Sequence, residues 1–387
     1  MKRYGYFHLL SGIIVVALLV ISPAPRASAA SPFDGSSPVI RAAIKLVQFC
    51  DNSKNGLDEQ AIATLVEHVL STKQDRQYAL PKSTDATGAY YEFDIKAAFP
   101  KFMEYSYNPV VPAVFTKPSS VRYSTWMTPR GGEQGLPEAW KPVPLNGSPF
   151  IIHSMQRESD TPDLHTGIYH EYDQKRTLIL VNYKGSQALI SLTKQVGDSD
   201  VGKKGIVLGN DGDWNYYYSG QPGSPKTGLG WVRTYIYDYF SVAVYVESGA
   251  GQGMVRAGVF QWLRAGWTGI NFVKPRHILE GMERFARDSK MVLESPRLPA
   301  PGQIGAVYRS LSSLPPPDLI ARYSALQQTR LASAVAAGKV GKSKEDAVSV
   351  ADTPKDQMIE ELMLEYLKTA LGKSTLFGKQ ALLPANM

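Results

Sequence analysis

The run of residues 231–247 constrains the fold of this chain more than any other stretch. Its even positions are Val232, Thr234, Ile236, Asp238, Phe240, Val242, Val244 and Val246, and its odd positions include Trp231, Arg233, Tyr235, Tyr237, Tyr239 and Tyr245. Side chains alternate across a strand, so this spacing predicts one long strand with an aliphatic face and a face carrying a row of tyrosines. Upstream, residues 177–183, 187–195 and 214–219 are also rich in β-branched and aromatic residues, with Lys184-Gly185 and a charged, Gly-rich interval between them. Antiparallel strands joined by turns read this way. Residues 150–155 and 167–172 predict two more strands. The expected sheet has roughly six to eight strands across residues 90–247.

Helical periodicity flanks the sheet. Pro38 opens a pattern with Val39, Ala42, Ala43, Leu46, Val47 and Cys50 on one face, and Asp58 opens another with Ala61, Ile62, Leu65, Val66, Val69 and Leu70. His68 falls off that second stripe and reads as an exposed polar residue. Prolines from Pro81 to Pro149 keep most of residues 78–150 out of central strands and helix interiors, apart from strand-like pieces at 90–95 and 121–126. The aromatics there, such as Phe99, Phe102, Tyr105 and Trp126, predict an ordered, loop-rich segment wrapped over the sheet.

Past Glu247, turn residues Ser248, Gly249, Gly251 and Gly253 end the sheet. Residues 255–272 then read as a helix, with Val259, Trp262, Leu263, Trp267 and Ile270 on a large face and Gly258, Ala265, Gly266 and Gly269 on a small one. Pro275 starts a further helix that runs to residue 294, residues 295–317 read as a Pro-rich surface trace, and residues 319–337 read as helical. A last helix, residues 356–371, follows Thr353-Pro354 and stops at Gly372. The fold class is α+β: a curved antiparallel sheet packed by helices, with helical N- and C-terminal extensions. Its segments are a signal peptide at 1–30, a helical segment at 31–75, a core domain at 76–317 and a helical extension at 318–387. A flexible linker is expected near residues 338–353.

The N-terminus predicts export. Lys2 and Arg3 precede an apolar stretch at residues 9–21, and Ala27-Ser28-Ala29 supplies the small residues of a cleavage site. The stretch is short for a membrane span of roughly 20 residues, so a cleaved signal is expected rather than a retained anchor. Removing residues 1–30 takes away Lys2, Arg3 and Arg26 and lowers the formal charge from +7 to about +4. No basic cluster with interleaved aromatics follows, so nucleic acid is not an expected partner. Cys50 is the single cysteine and excludes an intramolecular disulfide. An exported chain without disulfides fits a bacterial periplasmic or secreted location.

Motifs of catalysis are weak. Ser191-Leu192-Thr193-Lys194, Ser199-Asp200-Val201 and Lys226-Thr227-Gly228 echo the elements of a penicillin-recognising enzyme. That chemistry needs its Ser at a helix start, whereas Ser191 and Lys194 sit on a predicted strand and point to opposite faces. Gly341-Lys342-Ser343 and Gly372-Lys373-Ser374 lack the first glycine and the preceding strand of a P-loop. Asp198, Asp200, Asn210, Asp211 and Asp213 offer oxygens to a hard cation, but Lys203 and Lys204 oppose it and turn chemistry explains the cluster. No metal or cofactor is therefore expected. His153, His165 and His170 are candidate general bases with no nucleophile placed beside them by the sequence.

The tyrosine row has two readings: a sheet face covered by other elements, or the lining of a ligand groove formed by Trp231, Tyr235, Tyr237 and Tyr239. The leading functional expectation is an exported, non-enzymatic protein that binds an apolar small molecule or an envelope protein. The alternatives are a hydrolase of envelope polymers, using carboxylates or histidines gathered by the fold, and a structural or assembly protein.

Overall fold

A computed structural model describes residues 34–71, 75–127, 147–226, 230–248, 253–340, 350 and 353–377. The expected signal peptide, Thr227-Gly228, the expected glycine turn at 249–252 and most of the expected linker lie outside the described residues. In chain order come α1 (Pro38–Asp51), α2 (Glu59–Leu70), β1 (Gln77–Ser83), β2 (Ala86–Ile95) and α3 (Phe99–Tyr107). Next are β3 (Val121–Met127), β4 (Phe150–Asp160), β5 (Ile168–Tyr169), β6 (Glu171–Tyr183) and β7 (Ser186–Gln195). Then β8 (Lys203–Val207), β9 (Tyr216–Pro222), β10 (Ser224–Lys226) and β11 (Gly230–Val232) lead to β12 (Tyr235–Ser248) and β13 (Met254–Trp267). β14 (Ile270–Asn271) is followed by α4 (Pro275–Leu293), α5 (Pro301–Ser312), α6 (Pro316–Ala336) and α7 (Lys355–Leu371).

Nine strands form one curved, antiparallel sheet in the order β1-β2-β13-β12-β7-β6-β4-β3, with β14 beside β13. β5, β8 and β9 make a separate three-stranded sheet, and β10 pairs with β11. The fold is α+β, as the alternation of residues 231–247 predicts. β12 is central because both its edges are occupied, by β7 and by β13.

Residues 255–272 are the main departure from expectation. They form β13 and β14, not a helix. Val255, Ala257, Val259 and Leu263 face one side, while Phe260 and Trp262 face the other. A run that is apolar on both sides fits a 2.0 or a 3.6 period, and pairing to β12 and β2 decides it. Gly258 does what the small face of a helix would have done. A Cβ there would lie 2.5 Å from Val69 Cγ2 and 2.8 Å from Tyr90 Oη, so its absence lets α2 approach the sheet.

Apolar clusters with helices cover both faces of the sheet, which places it as the middle of three layers. On the outer face, Ile179, Ile190, Leu192, Phe240, Val242, Val244 and Trp262 pack under Leu46, Leu65, Val66 and Val69 of α1 and α2. The Phe240 and Trp262 rings stack at 5.2 Å. α2 begins as its sequence predicts, with Asp58 Oδ1 accepting from the Ala61 amide at 2.9 Å. His68 is not exposed: its Nε2 lies 3.0 Å from Tyr78 Oη, and burial pushes its imidazolium down to about 4.

On the inner face, Phe93, Leu178, Leu180, Leu189, Tyr245 and Ala257 join Ile278, Met282, Ile304, Leu311, Ile359, Leu362 and Met363 of α4, α5 and α7 in one cluster. Residues 295–317 are not merely a surface trace, because they contain α5. Pro301 and Pro316 in that segment start helices, as Pro38 and Pro275 do elsewhere, each at a position whose N–H would be unbonded anyway. α7 ends on Gly372 at φ +73°, the left-handed cap that glycine takes at no steric cost.

Candidate functional site: a polar-floored cavity under helix α4

The inner face of the sheet changes character along its strands. Two cross-strand rows, Leu180–Leu189–Tyr245–Ala257 and Leu178–Ser191–Ala243–Val259, are largely apolar. The next row, Arg176–Thr193–Ser241–Gln261, is polar throughout. Ile278, Met282 and Phe285 of α4, spaced at one and two turns, face this floor. Between floor and helix lies a cavity of about 290 Å³, walled also by Lys117, Glu158, Tyr172 and Tyr239. A second cavity of about 40 Å³ continues beyond it and shares Lys117, Arg176, Tyr245 and Phe285.

Charge at the floor is unevenly matched. Glu158 accepts from Tyr172 Oη at 3.3 Å and from Ser124 Oγ at 3.4 Å, and Lys117 Nζ stands 3.9 Å from it. Burial pulls the Lys117 ammonium down to about 8, with Glu158 opposing and Arg176 adding to the fall. Arg176 donates from Nη1 to Thr193 Oγ1 at 2.7 Å. Its Nε is buried with no hydrogen-bond partner among the described residues, as is Ser191 Oγ. Burial raises the Tyr172 and Tyr239 hydroxyls, with Glu158 adding to each, so both stay protonated donors. Behind this wall Glu360 of α7 is pushed well up, first by burial and then by Asp356 and Glu158.

The four residues expected to line a groove are separated. Tyr239 lines the cavity and donates to Ser241 Oγ at 3.4 Å. Tyr235 and Tyr237 stack on each other at 6.1 Å away from it, and the Tyr237 hydroxyl accepts from the Gly269 amide at 2.9 Å. Trp231 is 51% exposed on β11 and donates Nε1 to Pro222 O at 2.6 Å. The cause is a bulge in β12 at Tyr237, between Ile236 and Asp238 in the pairing with β13. One extra residue flips the face of everything beyond it, so Ile236 and Tyr239 share the cavity while Tyr235 and Tyr237 do not.

Other candidates resolve into packing or turns. Ser191 faces the cavity and Lys194 the opposite side, where it pairs with Asp238 across the strands. Asn210 Oδ1 caps its turn at the Gly212 amide, and Asp211 is held by Arg284 and Arg287. His153 bonds Thr177 at 2.9 Å and packs on Phe49, while His165 pairs with Glu280. Thr234, His170 and Asp160 stand in the order of a hydrolytic triad, at 3.5 Å and 3.8 Å. A Cβ at Gly202 would lie 2.5 Å from Thr234 Oγ1 and 2.6 Å from His170 Nε2, so backbone closes the place where a reacting carbonyl would sit.

Sequence reasoning missed Arg176, Lys117 and Gln261. Arg176 carried a signal, since it alternates with Leu178 and Leu180 on a strand that is apolar on both faces beyond it. Lys117 and Gln261 carried none, because no local pattern says that a loop before β3 and a strand beside β12 share a wall.

No protein-family model and no curated protein matches the chain. Among solved structures it is similar to the human StarD13 (DLC2) lipid transfer and protein localization domain, at 13% identity, over 62% of this chain and 96% of that one. The TM-score is 0.25, too low to support any conclusion about this chain's fold or ligand.

Proposed function

We propose that this chain is an exported, non-enzymatic protein that binds a small, largely apolar molecule in the cavity between the sheet and α4. The observation that supports it is a cavity of about 290 Å³ with Val259, Leu263, Ile278, Met282 and Phe285 on its walls and polar groups placed along its length, from Arg176 to Asp160. Ligand sites combine apolar lining for affinity with placed polar groups for orientation. The volume sits at the small end of such sites, which favours a compact ligand. Export rests on the N-terminal charge, apolar stretch and Ala27-Ser28-Ala29 site.

Filling the cavity tests the reading. Ala243 and Val259 stand side by side in one row of the floor. Ala243→Phe and Val259→Phe each place a ring where the ligand would lie. Both variants are expected to keep the parent's melting temperature and to lose Nile red binding by tenfold or more. A parent that binds no dye, or folded variants that bind it unchanged, would sink the proposal. Native mass spectrometry of the exported protein then gives the mass of whatever it carries.

A further inference from the structure

We infer that the ligand is a monocarboxylic acid with an apolar body, whose carboxylate is held at the floor of the cavity by Arg176 with Lys117 beside it. This rests on the cavity being the binding site.

Arg176, half-buried at the cavity floor, differs from the buried arginines. Arg122 and Arg330 share Glu361, Arg256 lies 3.0 Å from Glu92 and 3.0 Å from Asp94, and Arg284 chelates Asp211. Among the described residues Arg176 has no carboxylate within ion-pair distance and one hydrogen bond; its Nε is buried with no partner, as is that of Arg330, but Arg330 holds Glu361 through Nη1. Glu158 acts on this half-buried guanidinium only through space, which leaves its fork free for a ligand, and a planar carboxylate is the group that a guanidinium fork bonds best.

The neighbouring charges leave the anion position unfilled by the protein itself. Glu158 answers Lys117 only loosely, at 3.9 Å, and accepts from two hydroxyls besides. Asp160 and Asp163 reach the cavity at its other end, but Asp160 accepts from the His170 amide, and Asp163 from the His165 and Thr166 amides at 2.9 Å and 2.7 Å. They are fixed by the turn they make. Ser191 Oγ, with no partner of its own among the described residues, is on the same floor and offers a donor to the second carboxylate oxygen. From that row the floor runs to Ala243, Val259, Tyr245 and Phe285, which suits a tail.

Calorimetry with the exported protein at pH 7 tests this, using decanoate, 1-decanol, decylamine and decyl phosphate as probes. Decanoate is expected to bind at least tenfold tighter than decanol, with decylamine weakest. Arg176→Met should lower decanoate affinity by about ten- to hundredfold, the range of a lost charge-assisted hydrogen bond, and leave decanol unchanged. Because Met removes a charge that no carboxylate pairs at ion-pair distance, the free variant should melt no lower than the parent, which a purely structural arginine would not allow. Arg176→Lys should recover part of the preference, and it serves as the charge-keeping control should the Met variant fold poorly. Equal binding of decanoate and decanol, or a preference that survives Arg176→Met, overturns the inference and leaves the cavity reading standing. Decyl phosphate binding tenfold tighter than decanoate overturns the carboxylate in favour of a phosphate. If no probe binds, the cavity reading itself fails, and this inference with it.

Discussion

Arg122 of β3 and Glu361 of α7, 239 residues apart in sequence, meet in a 2.8 Å hydrogen bond in the interior of the fold. Glu361 also accepts from Arg330, from Tyr323 Oη at 3.0 Å and from Gln357 Nε2 at 3.0 Å. A fully ligated buried carboxylate of this kind ties α6 and α7 to the edge of the sheet. Removing it strands two guanidinium groups, so Glu361→Ala is expected to cost about 3–5 kcal/mol in chemical denaturation. Burial alone would raise this carboxyl, but Arg122 and Arg330 outweigh it and hold it at about 2. A carboxyl lowered in the folded state stabilises above its unfolded value and loses that contribution as pH falls through its folded value. The parent should therefore weaken between about pH 4.5 and pH 2, and a Glu361→Gln variant should lack that slope. An Ala variant as stable as the parent would show the cluster to be neutral.

Glu360, the next residue, titrates in the opposite sense. It is buried, its Oε1 accepts from the Ser124 amide at a long 3.4 Å, and its Oε2 has no partner among the described residues. Burial raises its carboxyl well above the ordinary range, so folding favours the protonated form. Stability from this group is complete below the unfolded value and declines as pH rises through that value toward the folded one. Glu360→Gln keeps the shape and removes the titration. Its melting temperature at pH 7 should exceed the parent's, with the gap closing near pH 4. A variant that melts below the parent at pH 7 would mean that Glu360 is paired and charged.

Gly258 gives a steric test of the outer layer. An Ala there meets Val69 and Tyr90 at distances that side chains do not tolerate, and both belong to the packing of α2 on the sheet. Overpacking of this kind costs about 1–3 kcal/mol. Gly258→Ala should lower stability by that amount and Gly258→Val by more, and Val69→Ala should partly rescue the Ala variant. Independent, additive losses from the two changes would argue that α2 does not touch the strand there.

These sites mark where the sequence was legible. β12 was read correctly as a strand because its aliphatic face, Phe240 to Val246, keeps strict alternation over four pairs of residues. β13 was misread because its residues are apolar on both faces, and only its two neighbouring strands choose between the periods. The cavity was hidden by one residue. Tyr237 is as strand-like as Tyr235 and Tyr239, and nothing in its identity marks it as the bulge that divides them. Arg176, Lys117 and Glu158 come from β6, a loop and β4, and local pattern does not report which of them share a wall.

Processing of the N-terminus is checked separately from the fold. The short apolar stretch and the Ala27-Ser28-Ala29 site lead us to propose cleavage after Ala29 or Ala30. Protein recovered after export should begin at Ala30 or Ser31 on N-terminal sequencing. Recovery of chains that still begin at Met1, in a membrane fraction, would instead show a retained anchor.

The divided tyrosine row yields the sharpest contrast. Tyr235 and Tyr237 stack outside the cavity, where the Tyr237 hydroxyl holds the Gly269 amide and Arg264 lies over its ring at 5.3 Å. Tyr239 lies inside it, edge-on to Tyr172 at 6.1 Å. Replacing Tyr235 and Tyr237 together by Ala removes partly exposed rings, so the fold should survive with a modest loss and dye affinity should stay within about twofold, since a twofold change is under half of RT ln 10. Tyr239→Phe keeps the ring and deletes one hydroxyl, at a cost of about 0.5–1.5 kcal/mol in stability at most. Tyr239→Ala enlarges the cavity beside Tyr172 and Ser241. Tyr239 is half-buried like the outer pair, so the truncation should cost less than the roughly 3–5 kcal/mol of a fully buried aromatic, but it alters the cavity wall and should change dye affinity at least tenfold. If the outer pair altered binding and Tyr239 did not, the ligand would sit on the β12 surface around Trp231, and the cavity under α4 would be packing space.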